Sequence, residues 1–205
     1  MGSPTGNLER EKKYFVDEAE AEKLKKMSVA RLGVAQWYLS DCSELLKQLG
    51  LKTWTLSAKA SEGCRIRYTV TPNGEEGWVV AFKTDVRDDF TREEWEAEFE
   101  PFEDLRNFLT GQPVVVKVRY FLLFEPAEVV LDEFIRLERD YSVQVSHVVE
   151  VETDEPFERY EELFGLKKPM GIEDFKRYSN KNIAVQSKLG VDEIKALLFK
   201  ALGDV

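Results

Sequence analysis

The chain has 205 residues, 43% of them apolar and 33% charged, a length and balance that give one well-buried globular domain and exclude a disordered, collagen-like or disulfide-scaffold chain. Its 29 Lys and Arg against 39 Asp and Glu leave a net charge of −10, which excludes a broad electrostatic footprint for long nucleic acid or an anionic membrane but allows a local basic pocket. Two cysteines without CxxC or Cys/His clustering exclude a thiolate metal site. Apolar runs as short as Tyr120 to Phe124 exclude a membrane helix, and the start has no apolar signal region, so a cytoplasmic protein is expected.

In chain order, period-two alternation predicts a first strand over Leu8–Val16, followed by a helix at Glu18–Val29 and a second strand at Val34–Leu39. A helix at Asp41–Leu49 opens a helical insertion at 40–60. Strands at Cys64–Thr71 and Trp78–Asp85 flank a turn at Pro72-Asn73-Gly74. The next stretch, Asp85 to Asp104, holds ten acidic residues against Arg87 and Arg92, a local net of −8, and contains a strand at Glu94–Glu100. A helix at Phe102–Leu109 leads to strands at Val114–Phe124, Glu128–Phe134 and Val143–Thr153, with Glu125-Pro126 turning between the first two. Helices at Pro156–Phe164 and Val191–Leu202 end the pattern. No repeat or linker divides 1–205, so one α+β domain is expected, mainly antiparallel β with peripheral helices, closed as a barrel or packed as a sandwich.

Charges gather on one side of each strand. Glu9, Glu11 and Lys13 alternate with Arg10, Lys12 and Tyr14; Arg65 and Arg67 flank Ile66; Glu94 and Glu96 flank Trp95; Lys117 and Arg119 flank Val118; Glu150 and Glu152 flank Val151. Lys83 and Asp132 are single charges inside otherwise apolar strands. A solvated sheet face would explain any one such pair. A barrel with its apolar side outward against helices and its charges lining a central cavity explains all of them together. That arrangement requires opposite signs to meet, because unpaired inward charges are costly. The two signs are close to balance.

In order, Glu9-x-Glu11-x-Lys13, Arg65-x-Arg67, Lys83, Glu94-x-Glu96, Lys117-x-Arg119, Asp132 and Glu150-x-Glu152 resemble the CYTH or triphosphate tunnel metalloenzyme family over most of the chain. Gln36-Trp37-Tyr38-Leu39 is similar to the QxYL segment of its bacterial members, and Arg177 to Ala184 to their C-terminal RYxNxNLA-type segment. The resemblance implies a closed eight-stranded antiparallel tunnel that binds a triphosphate-bearing small molecule together with Mg²⁺ or Mn²⁺. It implies phosphate contacts from Lys13, Arg65, Arg67, Lys83, Lys117 and Arg119, metal ligation by Glu9, Glu11, Glu150 and Glu152, and catalytic roles for Glu9, Glu11, Lys13, Glu96, Asp132, Glu150 and Glu152. A further C-terminal lysine, Lys176 or Lys181, completes the set. The residue types suit that chemistry: Arg forks onto phosphate, Lys gives a point charge, and carboxylates at i and i+2 hold hard cations.

The expected activity is a metal-dependent hydrolase of inorganic tripolyphosphate or a nucleoside triphosphate, acting as a monomer or homodimer without a membrane partner. The alternatives are an adenylyl cyclase of the class IV type, in which a ribose hydroxyl replaces water, and a non-catalytic polyphosphate or nucleotide sensor. His147, the only histidine, has the parity of Val149 and Val151 and is expected to face outward; Cys64, beside Arg65, is expected to be a structural thiol. Asp88, Asp89, Glu100, Glu103 and Asp104 read as a solvated patch and helix start, and Trp37, Trp54, Trp78 and Trp95 as packing under helices.

Overall fold

A computed structural model describes residues 7–51, 64–137 and 145–203. Eight strands make the body: β1 (Asn7–Phe15), β2 (Ala30–Leu39), β3 (Cys64–Val70), β4 (Glu76–Lys83), β5 (Thr91–Glu98), β6 (Pro113–Leu123), β7 (Glu128–Phe134) and β8 (His147–Glu152). Each pairs antiparallel with its neighbours in the order β2-β3-β4-β5-β1-β8-β7-β6. The sheet then closes on itself, because β6 pairs back onto β2 from Ala30↔Phe121 to Trp37↔Val114. Closure leaves none of these eight strands with a free edge. A two-residue strand, β9 (Val185–Gln186), adds to the start of β6 beyond the reach of β7.

The apolar core lies outside the barrel. Ile66, Tyr68, Val80, Phe82, Val116, Leu131, Val149 and Val151 point outward from their strands and are fully buried. Seven helices are present among the described residues: α1 (Glu18–Met27), α2 (Ser43–Gln48), α3 (Leu105–Leu109), α4 (Glu158–Phe164), α5 (Ile172–Arg177), α6 (Asn180–Ile183) and α7 (Val191–Gly203). Several of them cover the outward faces, through Ala21 and Leu24 of α1, Leu45 and Leu46 of α2, and Ile194, Leu198 and Leu202 of α7. Helix α1 begins where Asp17 and Glu20 cap each other's backbone reciprocally. Helix α7 packs on β2 and β6, close enough at Gly33 that a Cβ there would stand 2.9 Å from Val70 and 3.1 Å from Leu198.

All eight expected strands and the five expected helices occur. Strand β2 begins four residues earlier than its alternation, since Gly33 interrupts the apolar period. The short α5, α6 and β9 carry no period to detect. Helix α2 occupies part of the expected insertion at 40–60; residues 52–60 lie outside the described residues, as do Trp54 and the start of the strand expected from Val143. No described helix is long and apolar enough to cross a membrane.

Candidate functional site

Because side chains alternate across a strand, an apolar exterior sends every second residue into the lumen. The lumen is a cavity of about 570 Å³, and it is lined by Glu9, Glu11, Lys13, Arg65, Arg67, Lys83, Glu94, Glu96, Lys117, Arg119, Glu150 and Glu152. Every site residue expected from the sequence is therefore on the wall except Asp132. That side chain is 0% exposed, points the same way, and lies behind the wall under Lys117 and Arg119.

The register sorts these charges along the tunnel axis. Asn7, Val79, Glu98, Phe121, Glu128 and Glu152 mark one end, the mouth, where β1, β2, β4 and β7 begin and their neighbours finish. Lys13, Tyr38, Arg65, Lys83, Arg92 and Lys117 lie toward the opposite end. There Phe175 of α5 packs with its ring 5.2 Å from Lys13 Nζ and 5.6 Å from the Arg92 guanidinium, and Ser179, Asn180 and Lys181 complete the lining.

Opposite charges meet throughout. Lys83 Nζ donates to both oxygens of Glu9 at 2.9 and 2.7 Å and lies 3.1 Å from Glu94. Arg92 bridges Glu9, at 3.2 Å from its Nε, and Glu11. Arg65 pairs with Glu94, and Arg67 donates from Nη2 to both oxygens of Glu96 at 2.9 and 3.0 Å. Arg119 forks onto Asp132 at 2.8 and 2.9 Å and reaches Glu150 at 2.6 Å. Lys117 also pairs with Asp132, and Lys13 with Glu150.

These pairings set the proton affinities. Burial alone would raise Glu11, but Arg92 and Lys13 outweigh it and hold the carboxyl at about 2. Burial also opposes ionisation of Glu150, yet Lys13, Lys117 and Arg119 keep it well below the carboxylate range. Glu152 behaves oppositely: burial, with Glu9 close by, pushes it up to about 7. Burial beside Arg92 and Arg65 lowers Lys83 to about 7. Glu152, which makes no ion pair among the described residues, is thus the carboxyl short of a cation, and Glu9 and Glu11 lie close to it. Glu11 Oε1 is buried without a hydrogen bond, although Lys13 Nζ stands 3.2 Å away. That deficit fits a hard divalent cation. Glu150 has its oxygens committed to Lys13 and Arg119, and among the described residues no three acidic, Cys or His side chains already stand in coordinating geometry.

No family model and no curated protein matches the chain. Solved structures align with the chain. The PH1819 protein of Pyrococcus horikoshii OT3 aligns at 20% identity with a TM-score of 0.54, over 79% of this chain and 93% of its own, which is a likeness of fold. A candidate adenylate cyclase from Bacillus halodurans aligns at 14% identity and TM-score 0.46 over 84% and 98% of the two chains. HpAC1 from Hippeastrum, a candidate adenylyl cyclase described as having a dominant triphosphatase activity, aligns at 16% identity and TM-score 0.44 over 98% and 97%. The closed eight-stranded antiparallel tunnel implied by the CYTH resemblance is the fold of this chain.

Some lining residues escaped the sequence reading. Arg92 was counted only as a counter-charge in an acidic stretch, yet it shares the parity of Glu94 and Glu96 and pairs across to Glu9; that parity is the signal that could have found it. Glu98, which alternation already places on the charged side of its strand with Glu94 and Glu96, lines the mouth. Of the two C-terminal lysines, Lys181 reaches the lining and Lys176 does not; the Lys176 carbonyl accepts bonds from Ser179 and Asn182 at the end of α5. His147 faces outward, buried between Glu133 and Glu18. Cys64 is buried on the outer face beside Cys42, and that contact together with burial pushes its thiol far up; such a thiol is inert.

Proposed function

We propose that the chain is a divalent-metal-dependent hydrolase of a triphosphate substrate held inside the tunnel. The observation that supports this best is the gathering of Lys13, Arg65, Arg67, Lys83, Lys117 and Arg119 around one cavity of about 570 Å³ beside the carboxylates Glu9, Glu11 and Glu152. The guanidinium forks of Arg65, Arg67 and Arg119 and the ammonium groups of Lys13, Lys83 and Lys117 bind phosphate oxygens in place of part of their present carboxylate contacts. Asp132 and Glu150 position Lys117, Arg119 and Lys13, and Glu96 positions Arg67. Glu9, Glu11 and Glu152 hold the Mg²⁺ or Mn²⁺. A cation bound there supplies neutralisation of the charge that develops on the phosphoryl oxygens. One of the lumen carboxylates, or water on the cation alone, would take the proton of the attacking water.

The test is phosphate release from tripolyphosphate, ATP, thiamine triphosphate and RNA 5′-triphosphate with Mg²⁺ or Mn²⁺, with product analysis for cyclic AMP. Release that stops in excess chelator and in Glu11→Gln, and that survives Lys12→Ala on the outer face, is expected. Full turnover in chelator, or cyclic AMP as the product, would overturn the reading.

A further inference from the structure

The mouth of the tunnel carries a feature that phosphate chemistry leaves unexplained. Between Phe121 and Leu123 the β6–β7 register slips: Phe121 pairs with Val130 and Leu123 with Val129, so Leu122 is an extra residue on β6. An extra residue reverses the alternation beyond it. Lys117, Arg119 and Phe121 face the lumen, and after the slip the next residue with lumen parity is Phe124. The rings of Phe121 and Phe124 accordingly stack, with centroids 4.7 Å apart and planes 19° from parallel. Phe121 is 9% exposed and lines the cavity; Phe124 is 52% exposed. Phe124 is not itself a lining residue, but its half-exposed ring is stacked on one that is.

The charges say which part of a ligand lies there. Phe121 stands two residues beyond Arg119, about 7 Å along the strand, so the ring pair begins where the basic wall ends. Around the mouth the lining carries three carboxylates, Glu98, Glu128 and Glu152, with Arg67 the nearest cation on the β3 side and Asn7 and Thr69 the neutral polar residues. A polyanion gains from passing these carboxylates to the basic interior and loses by leaving a phosphate among them. A bare tripolyphosphate would leave the aromatic face unused, and a longer polyphosphate would place its tail against acid. An ester that carries a flat aromatic group on its α-phosphate satisfies both ends.

We infer that Phe121 and Phe124 form a stacking shelf for the base of a nucleoside triphosphate, which makes the nucleotide rather than inorganic tripolyphosphate the preferred substrate. The inference rests on the triphosphate reading above. Stacking on an aromatic side chain is tolerant of base identity, so the shelf selects for a base and not for one base.

The experiment compares kcat/KM for ATP and for inorganic tripolyphosphate in the wild type, Phe124→Ala, Phe124→Leu and Phe124→Trp. The half-exposed ring can be replaced without opening the core, and melting curves confirm folding. The ratio of ATP to tripolyphosphate should fall about tenfold in Phe124→Ala and Phe124→Leu and be kept or raised in Phe124→Trp. A ratio unchanged in Phe124→Ala, or restored by Leu as well as by Trp, overturns the shelf. If neither compound is hydrolysed the triphosphatase reading fails, and calorimetric binding of the same two compounds then decides the shelf separately: a loss confined to ATP upholds it, and equal affinities in wild type and Phe124→Ala overturn it.

Discussion

Replacing Asp132 by Asn tests whether the charged faces of the strands really point into a desolvated lumen. The carboxylate is 0% exposed and Lys117 1% exposed; one oxygen meets Lys117 and both receive Arg119, at 2.8 and 2.9 Å. The amide keeps the shape and removes the charge, which leaves Lys117 without its carboxylate partner and Arg119 with Glu150 at 2.6 Å and Glu128 at 3.7 Å. Breaking a buried pair on one side costs about 3–5 kcal/mol. For a chain of 205 residues each kcal/mol moves the melting temperature by about 2–4 °C, so a fall of roughly 10 °C is expected without ligand. Lys117→Met should cost less, because Asp132 then keeps the fork of Arg119.

Ligand sharpens the experiment. Tripolyphosphate brings negative charge to Lys117 and Arg119 and should recover part of the loss, so its stabilisation of Asp132→Asn should exceed its stabilisation of the wild type by mass action. A solvated sheet would behave otherwise, since exposed ion pairs contribute about 0–1 kcal/mol. A melting temperature within about 2 °C of wild type, together with an unchanged tripolyphosphate shift, would refute an inward-facing Asp132 and with it the strand parity that assigns the lumen.

Arg92→Gln should lower the melting temperature of the metal-free protein and enlarge the stabilisation given by Mn²⁺, because Arg92 neutralises Glu9 and Glu11; a smaller Mn²⁺ effect, read by differential scanning calorimetry, would contradict this. On the outer face, Glu133 is held at about 2 by bonds from His147, Lys25 and Tyr120 against the effect of burial. Its folded pKa is depressed, so its contribution is present above the ordinary carboxylate pKa and is lost as pH falls through about 2. Glu133→Gln should therefore cost about 1 kcal/mol at neutral pH, a figure discounted for partial exposure, and melt like wild type at the acid end of that window. Gly33→Ala should destabilise by roughly 1–3 kcal/mol in denaturant melts, since its Cβ meets Val70 and Leu198 where β2 and α7 touch.

The strands were legible because a barrel with a charged lumen writes its topology as parity. Each of Glu9, Arg65, Lys83, Lys117 and Glu150 declares the facing of its whole strand, and the apolar residues between them declare the outer core. What stayed hidden lies where parity gives no message. Helices α5 and α6, which bring Phe175 and Lys181 to the far end, are too short to show a period. Asp132 carries the right parity, but parity cannot place it behind the wall rather than on it; that depends on Lys117 and Arg119 both closing over it. The hardest case is Phe124. Continued alternation from Phe121 assigns it to the outer face, under helices with the other aromatics. A single unpaired residue, Leu122, reverses that assignment, and the half-exposed Phe124 ring stacks on Phe121, which lines the cavity. A bulge has no signature in composition or period, so the residues it redirects are the ones a sequence reading misplaces, and here they lie at the end of β6 that borders the mouth of the cavity.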